Sequence, residues 1–412
     1  MDKETCEILV VGGGAAGMSA AIKACGTATV TLIDDNPMLG GQIWRADAQK
    51  ARPLDARNLI DAVSSGRIKI VNNAQVFASA RDNSVIAETP GSPIEFEFQK
   101  LIIATGARER FLPFPGWTLP CVFGAGGLQA LVKGGFGVEG KRIVVAGTGP
   151  LLLAVAEYLR SRGAVVPAIV EQAPRRLINR FALGLWRTPS KLVQAIAIRR
   201  KLLGIRYLTD SWITAALGPE RLNAVELNSR GKSATIDCDY LACGFHLVPN
   251  IELAVLLGCT IENGYVAVDE FQRTSRKNIF CVGEPTGIAG VESSIVEGRI
   301  AGLTASGDDY AARELFASRD RAARFGDGLS RTFTLREELR HLAVDDTIVC
   351  RCEDVSYGRL KEFDNSREAK LQTRCGMGAC QGRVCGPANE FLFGWKPGTV
   401  RPPIFPVKME HL

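Results

Sequence analysis

The chain has 412 residues, too many for one ordinary core, and 46% hydrophobic with 23% charged residues is the balance of a globular protein of two or three domains. Its net charge of +6 is spread along the chain apart from the cluster Arg199-Arg200-Lys201, which reads as a solvated helix face and gives no reason to expect nucleic acid as a partner. No apolar run reaches the roughly 18 residues of a membrane span, and Met1-Asp2-Lys3-Glu4 lacks the basic-then-apolar pattern of a secretory signal; a cytoplasmic chain is expected, in which twelve cysteines point to metal or redox use over a disulfide framework.

The first predicted element is the apolar run Ile8 to Val11, one buried strand, which enters the turn Gly12-Gly13-Gly14-Ala15-Ala16-Gly17. A small-residue helix follows over Ala15 to Ala24. Gly12 permits the sharp turn, Gly14 lets a pyrophosphate approach the backbone, and Gly17 lets helix and strand pack closely, while the helix N-terminus faces the anion. A second strand, Thr29 to Ile33, ends in Asp34-Asp35, where a carboxylate is expected to hold a ribose hydroxyl. The loop Asn36 to Arg45 brings Gly41, Gln42 and Arg45 within reach of a ligand. It contains no cysteine pair, although one large class of flavin disulfide reductases carries its redox thiols at this point.

Arg67 to Phe77 and Ser84 to Phe98 alternate apolar and polar positions and read as antiparallel strands. Lys100 to Ala107 is a buried strand ending in Ala104-Thr105-Gly106. At this distance from a dinucleotide fingerprint, that ending resembles the second signature of two-dinucleotide-domain flavoproteins. The breaker-rich stretch from Pro113 to Gly140 marks a domain start. A second fingerprint, Arg142 to Leu152 with Gly147 and Gly149, leads through a helix to Arg162 and a strand, Val165 to Val170, ending in Glu171. Leu152 stands at the third glycine position and predicts an obstructed helix–strand approach, and Pro150 removes one donor from the turn. An adenine nucleotide such as NAD(P) or ATP, or nothing at all, remains open for Gly147, Gly149 and Glu171.

Asp237 to Asn250 reads as a strand returning toward the first domain. Five extended steps would put Cys238 and Cys243 on opposite faces roughly 16 Å apart, as packed structural thiols, and His246, without a nucleophile or carboxylate partner, reads as structural. Gly264 to Asp269 and Asn278 to Pro285 are strands, the second ending in Gly283-Glu284. This resembles the third flavoprotein signature, usually Gly-Asp, in which the acid holds the ribityl chain and the following helix, here Ile288 to Ala305, points its N-terminus at the flavin ring. Asp308 to Arg340 reads as helices linking the body to something else.

Five cysteines fall within thirty-six residues: Cys350 and Cys352 in Cys-Arg-Cys-Glu, then Cys375, Cys380 and Cys385 in Thr-Arg-Cys-Gly-Met-Gly-Ala-Cys-Gln-Gly-Arg-Val-Cys. Four thiolates satisfy zinc in a closed tetrahedral site. They also satisfy a [2Fe-2S] cluster, and the tight first pair and the glycines around the later cysteines, which expose backbone donors to bridging sulfides, favour iron. The segment resembles the [2Fe-2S] domain related to bacterioferritin-associated ferredoxin. The whole chain is similar to FAD-dependent alpha-type subunits of bacterial amine and amino-acid dehydrogenases: opine oxidases, D-hydroxyproline dehydrogenases, hydrogen cyanide synthase and dye-linked proline dehydrogenases.

The resemblance implies an α/β fold of the glutathione-reductase-like FAD/NAD(P) type with a small C-terminal iron–sulfur domain. It implies FAD on Gly12, Gly14, Ala15, Ala16, Gly17, Asp34, Asp35, Gly41, Gln42, Arg45, Ala104, Thr105, Gly106, Gly283 and Glu284. It carries the cluster ligand roles onto Cys350, Cys352, Cys380 and Cys385, with Cys375 as a fifth candidate. Only 27 residues separate Cys352 from Cys380, fewer than the family leads one to expect. The implied boundaries are 1–118 and 241–307 for FAD binding, 119–240 for the inserted dinucleotide domain, 308–345 for a linker, 346–395 for the cluster and 396–412 for a tail. The implied partners are a beta-type flavoprotein subunit holding the substrate site, a small gamma-type ferredoxin-like subunit, and a quinone or respiratory carrier as electron acceptor. FMN at a subunit interface, and attachment to the inner membrane through the complex, belong to the same expectation. No catalytic residue is assigned.

Overall fold

The computed structural model describes residues 1–44, 54–65, 67–396 and 400–412. They divide into a first compact unit of Met1–Arg108, Pro249–Asp327 and the C-terminal tail, and a second of Glu109–Val248 and Gly328 through the cysteine-rich segment.

In the first unit, strands β1 (Asp2–Val11), β2 (Val30–Ile33), β3 (Ile68–Val71), β4 (Gln75–Ala78), β5 (Ser84–Glu88) and β6 (Ile94–Ile103) form one sheet in the order β3-β2-β1-β6-β5-β4, and Ile279–Cys281 also pairs with β6. Helix α1 spans Ala15–Ala24, as the small-residue run predicts. The segment 67–77, expected as one antiparallel strand, is two: β3 runs parallel to β2, while β4 runs antiparallel to β5. The two segments expected at 84–98 and 100–107 share the single strand β6, because its far end continues parallel to β1 from Asp2↔Ile94 to Val11↔Ile103. Ile8, Val10, Leu32 and Ile102 face α1 and helix Val291–Ser306 on one side, and Leu9, Ile33, Leu101 and Ile103 fill the other. That continuous apolar run, without alternation, is what a parallel strand covered on both faces requires.

The second unit holds a five-stranded parallel sheet in the order Arg206–Thr209, Ala168–Glu171, Ile143–Thr148, Tyr240–Phe245, Val122–Gly124, and a three-stranded antiparallel sheet over Ser211–Asp237. Tyr240–Phe245 therefore belongs to the second unit, and the division falls after Val248, not at 240/241. It also falls after Arg108, not at 118/119. The expected linker is shared: residues up to Asp327 belong to the first unit, and those from Gly328 to the second. The cysteine-rich segment is not a separate body. Val384 and Phe391 pack into the same apolar cluster as Leu112, Phe114 and Trp117, and the Trp117 indole donates to the Ile348 carbonyl. The tail joins the first unit through buried Ile404, whose N–H bonds Phe77, and through His411 on Glu88.

Cys238 and Cys243 correct their expectation as well. The chain bends between strands Lys232–Asp237 and Tyr240–Phe245, so Cys238 is not part of an extended run, and both thiols are buried in one apolar cluster. Burial pushes the Cys238 thiol up to about 12 and raises that of Cys243, so both stay protonated and packed.

Candidate functional site

Three segments meet around the first glycine turn. Gly12 adopts φ +112°, and a Cβ there would lie 2.2 Å from the Ala104 carbonyl oxygen; a Cβ on Gly17 would lie 1.8 Å from the Gly12 oxygen. The turn is thus a backbone cradle that admits only glycine at these points. Gly14 keeps open space beside it, its nearest outside neighbour being Gly41 of the following loop. Gly40 holds that loop by donating to the Gly13 carbonyl. Ala104, Thr105 and Gly106 follow β6, with the Thr105 hydroxyl on the Asn250 carbonyl at 2.6 Å and Gly106 at φ +67°. Gly283, at φ +77°, comes against Ala16, where a Cβ would stand 3.0 Å from the alanine methyl. Glu284 brings its carboxylate to within 3.9 Å of the Cβ position on Gly106. The signatures carried by Gly12 to Gly17, Ala104 to Gly106 and Gly283-Glu284 are therefore one place.

The two acids at the end of β2 differ. Asp34 is buried, with one carboxylate oxygen accepting from the Gly13 N–H and the other from the Asn36 N–H at 2.8 Å, so it braces the glycine turn. Asp35 is exposed, as is Gln42 on the four-residue helix Gly41–Trp44. Arg45 lies outside the described residues. Glu284 accepts from the Ala107 N–H, and burial raises its carboxyl above the usual range.

Glu297, which sequence reasoning missed, is buried behind the same site. It accepts from the Gly283 N–H at 2.8 Å and from the hydroxyls of Ser293 and Thr286, and burial raises its carboxyl too. Its helix, Val291–Ser306, lies on α1 through Gly298 and Gly302, where a Cβ would come within 2.2 Å of the Ala16 carbonyl oxygen and 2.3 Å of that of Ala20. The sequence signal was the Gly-x-x-x-Gly spacing just after Glu297.

The second glycine turn closes on itself. Gly147, at φ +133°, passes so near Gly244 that a Cβ would meet its carbonyl oxygen at 2.0 Å. Helix Pro150–Ser161 starts with Pro150 at its first position, where the lost N–H has no partner to forgo. Leu152 does not obstruct the packing: it is fully buried beside Gly244, so the missing glycine is supplied by the neighbouring strand. Glu171 is also fully buried and accepts from Gly149 N–H at 2.7 Å, Ala173 N–H at 2.8 Å and the Thr148 hydroxyl at 2.8 Å. Burial drives its carboxyl up to about 7. Gln172 beside it donates to the Thr334 carbonyl and accepts from the Arg336 N–H. The Phe333 carbonyl faces both Thr148 and His246 Nε2, which gives that histidine a structural place. Residues 333–336 thus run along the ends of the strands where an adenosine would be held in an open fold of this kind.

Another carboxylate, half-buried Glu109, accepts from the N–H groups of Gly126 at 2.7 Å and Gly127 at 2.9 Å, filling the N-terminus of helix Ala125–Lys133. Burial raises its carboxyl as well.

The five C-terminal cysteines fall into two groups. The sulfurs of Cys350, Cys375 and Cys385 lie within 4.8 Å of one another and are buried. Thiols of Cys375 and Cys385, with the Gly376 and Glu353 N–H groups, donate toward Cys350 and hold its thiol far below the usual range. Cys352 is exposed, and its sulfur faces both the thiol and the N–H of Cys380. Gly378 makes this approach possible, since a Cβ there would stand 2.2 Å from that of Cys352. Asn389 donates to the Cys375 sulfur at 3.5 Å. Thiols with convergent backbone donors are the donor set that zinc or an iron–sulfur cluster takes.

The family model described as pyridine nucleotide-disulphide oxidoreductase matches residues 6–300. An opine oxidase subunit from Rhizobium meliloti is 29% identical over 93% of this chain and 81% of its own length. Hydrogen cyanide synthase subunit HcnB of Pseudomonas aeruginosa is 29% identical over 92% of this chain and 90% of its own. Among solved structures, L-proline dehydrogenase from P. horikoshii matches with TM-score 0.72 and 20% identity, over 100% of this chain and 80% of its own. Thioredoxin reductase from T. acidophilum matches 74% of this chain and 98% of its own with TM-score 0.57 and 20% identity, so the two structures speak for the fold alone.

Proposed function

We propose, for a chain that belongs to the pyridine nucleotide-disulphide oxidoreductase family, the role of electron-carrying component in a heteromeric dehydrogenase. The chain is an FAD-dependent oxidoreductase; the finer reading is that it relays electrons from a secondary amine or amino-acid derivative oxidised on a partner. The observation that carries this is the pairing of an open glycine cradle in the first unit with two convergent thiol groups in the second. Flavin, when bound, takes up two electrons and gives them up singly, and a thiolate-held iron–sulfur cluster carries one at a time.

In this reading Gly12, Gly14 and Gly17 offer backbone to a pyrophosphate, and Ala15 and Ala16 open the helix whose N-terminus faces it. Asp34 fixes the turn, while Asp35, Gly41 and Gln42 line the ribose side. Ala104 to Gly106 and Gly283-Glu284 flank the flavin end. Cys350, Cys352, Cys380 and Cys385 would hold the iron–sulfur cluster through their thiolates, leaving Cys375 as a fifth thiol beside Cys350 and Cys385. Glu171 and Gly149 are already bonded to each other, which argues against NAD(P)H as the electron donor and for the second dinucleotide fold as a platform. The partners would be a flavoprotein of beta type, a ferredoxin-like protein of gamma type and a quinone-type acceptor, with FMN at an interface between them; opines, D-hydroxyproline, proline and glycine fit the class of substrate.

The test is dye reduction by the purified chain with and without the proteins that copurify with it. The reading predicts amine-dependent reduction only when a flavoprotein partner is present, and none driven by NADH. Reduction by the chain alone with NADH, at rates typical of enzymes, would return the rival reading of a stand-alone ferredoxin or dye reductase.

A further inference from the structure

Between Gln172 and Thr209 the sequence holds nine lysines and arginines and no acidic residue, more positive charge than the net +6 of the whole chain. The charge is thus not evenly spread, and the cluster Arg199-Arg200-Lys201 is only its end. This stretch is the crossover between two adjacent parallel strands, Ala168–Glu171 and Arg206–Thr209. A crossover helix ordinarily lays its apolar face on the sheet it connects.

Here the crossover does so only in part. Helix Arg175–Gly184 has no buried residue. In helix Pro189–Lys201 the run Val193 to Ala197 is exposed throughout. Among the described contacts, the segment is held by half-buried Leu177, Ile178, Leu192 and Ile198, by Phe181 against Phe333 with ring centroids 5.8 Å apart, by buried Leu185 and Leu202, by Lys201 on the Glu157 carboxylate at 2.9 Å, and by Arg160 donating to the carbonyls of Lys201 and Leu203. Left in solvent are Leu183 at 75% exposure, Trp186 at 68%, Val193 at 67% and Leu203 at 68%, among exposed Arg175, Arg176, Arg180, Arg199 and Arg200.

Large aliphatic side chains and a tryptophan interleaved with cations alone are the composition of a helix that lies in a lipid headgroup layer. The apolar side chains enter the acyl boundary, the long basic ones reach back to the phosphates, and an acid would be repelled. A protein partner would recognise such a face with acids of its own, but it would not require the complete exclusion of acids over this length. No helix among the described residues is long and apolar enough to cross a membrane, so the contact would be at the surface.

We propose that the crossover helices Arg175–Gly184 and Pro189–Lys201 dock this chain directly on a phospholipid bilayer bearing anionic headgroups. The inference stands apart from the flavin and thiol assignments and would survive their failure.

The test is sedimentation of the full chain with vesicles of phosphatidylcholine alone or with phosphatidylglycerol added, at low and high salt. The expected result is binding only to the anionic vesicles, weakened by salt, and weakened roughly 25-fold or more in the Arg199→Glu/Arg200→Glu variant, from about fivefold per cation lost. Brominated lipid should quench tryptophan fluorescence of the unmodified chain, and Trp186→Phe should lose that quenching while keeping its binding. This arm needs no charge variant to fold. Equal binding to neutral vesicles, no binding to either kind, or quenching unchanged in Trp186→Phe would overturn the proposal. Loss of a copurifying acidic protein in the Arg199→Glu/Arg200→Glu variant, with no vesicle binding by the unmodified chain, would assign the face to that protein instead.

Discussion

Glu171 shows how one buried carboxyl couples a glycine turn to pH. Its removal from water outweighs the hydrogen bonds from Ala173, Thr148, Gly149 and Gln172 and raises it from the ordinary 4.5 to about 7, a penalty on the ionised form of roughly 3 kcal/mol. Because the folded value lies above the unfolded one, the folded chain holds the extra proton between them. The stabilisation is complete below about 4.5 and is lost as pH rises through about 7. Glu171→Gln should therefore flatten the fall in melting temperature between pH 5 and pH 8, as read by thermal unfolding. An unchanged slope would mean that other groups set it. The thiols permit a second residue-scale prediction: Cys352→Ser and Cys380→Ser should each abolish visible cluster absorption, whereas Cys375→Ser should keep it. Loss in Cys375→Ser with retention in Cys380→Ser would exchange their roles. At this scale the glycines were legible, because a positive φ or a backbone contact leaves only one residue type possible. Glu297 was not, since its partners Gly283, Thr286 and Ser293 become a set only when the helix folds back on the turn.

Elements were legible where pattern and packing agree. Helix α1 starts and ends where the small-residue run does, whereas β6 was divided because its alternating first half pairs with β5 and its continuous second half lies buried between β1 and Ile279–Cys281. Leu152 misled for a related reason: the close approach depends on a pair of positions, and Gly244, far along the chain, supplies the small member. The seam of Gly298 and Gly302 on α1 is the element-scale device that most affects the first turn. Gly298→Val puts a branched side chain where a single carbon already overlaps the Ala16 carbonyl oxygen. It should push α1 off its seat, with a loss of several kcal/mol of stability, in the range of severe overpacking, and release flavin on gel filtration. Retained flavin with an unchanged melting temperature would show that the seam does not hold the turn.

For the whole molecule, sequence order and spatial division part company. Local motifs announce where a strand or turn lies, but membership of a compact unit is decided by which apolar surfaces meet. Trp117 and Val384, more than two hundred residues apart in sequence, share one cluster, and the tail returns to β4 through Ile404. Hence the cysteine-rich segment, read as a module of its own, is part of the unit built on the second glycine turn. Whether this chain unites a flavin with an iron–sulfur cluster is read from the flavin, iron and acid-labile sulfide content of the purified chain. The expected result is FAD together with iron and sulfide in equal amounts, two of each per chain for a [2Fe-2S] centre. Zinc in place of iron, with no labile sulfide, would overturn the cluster assignment.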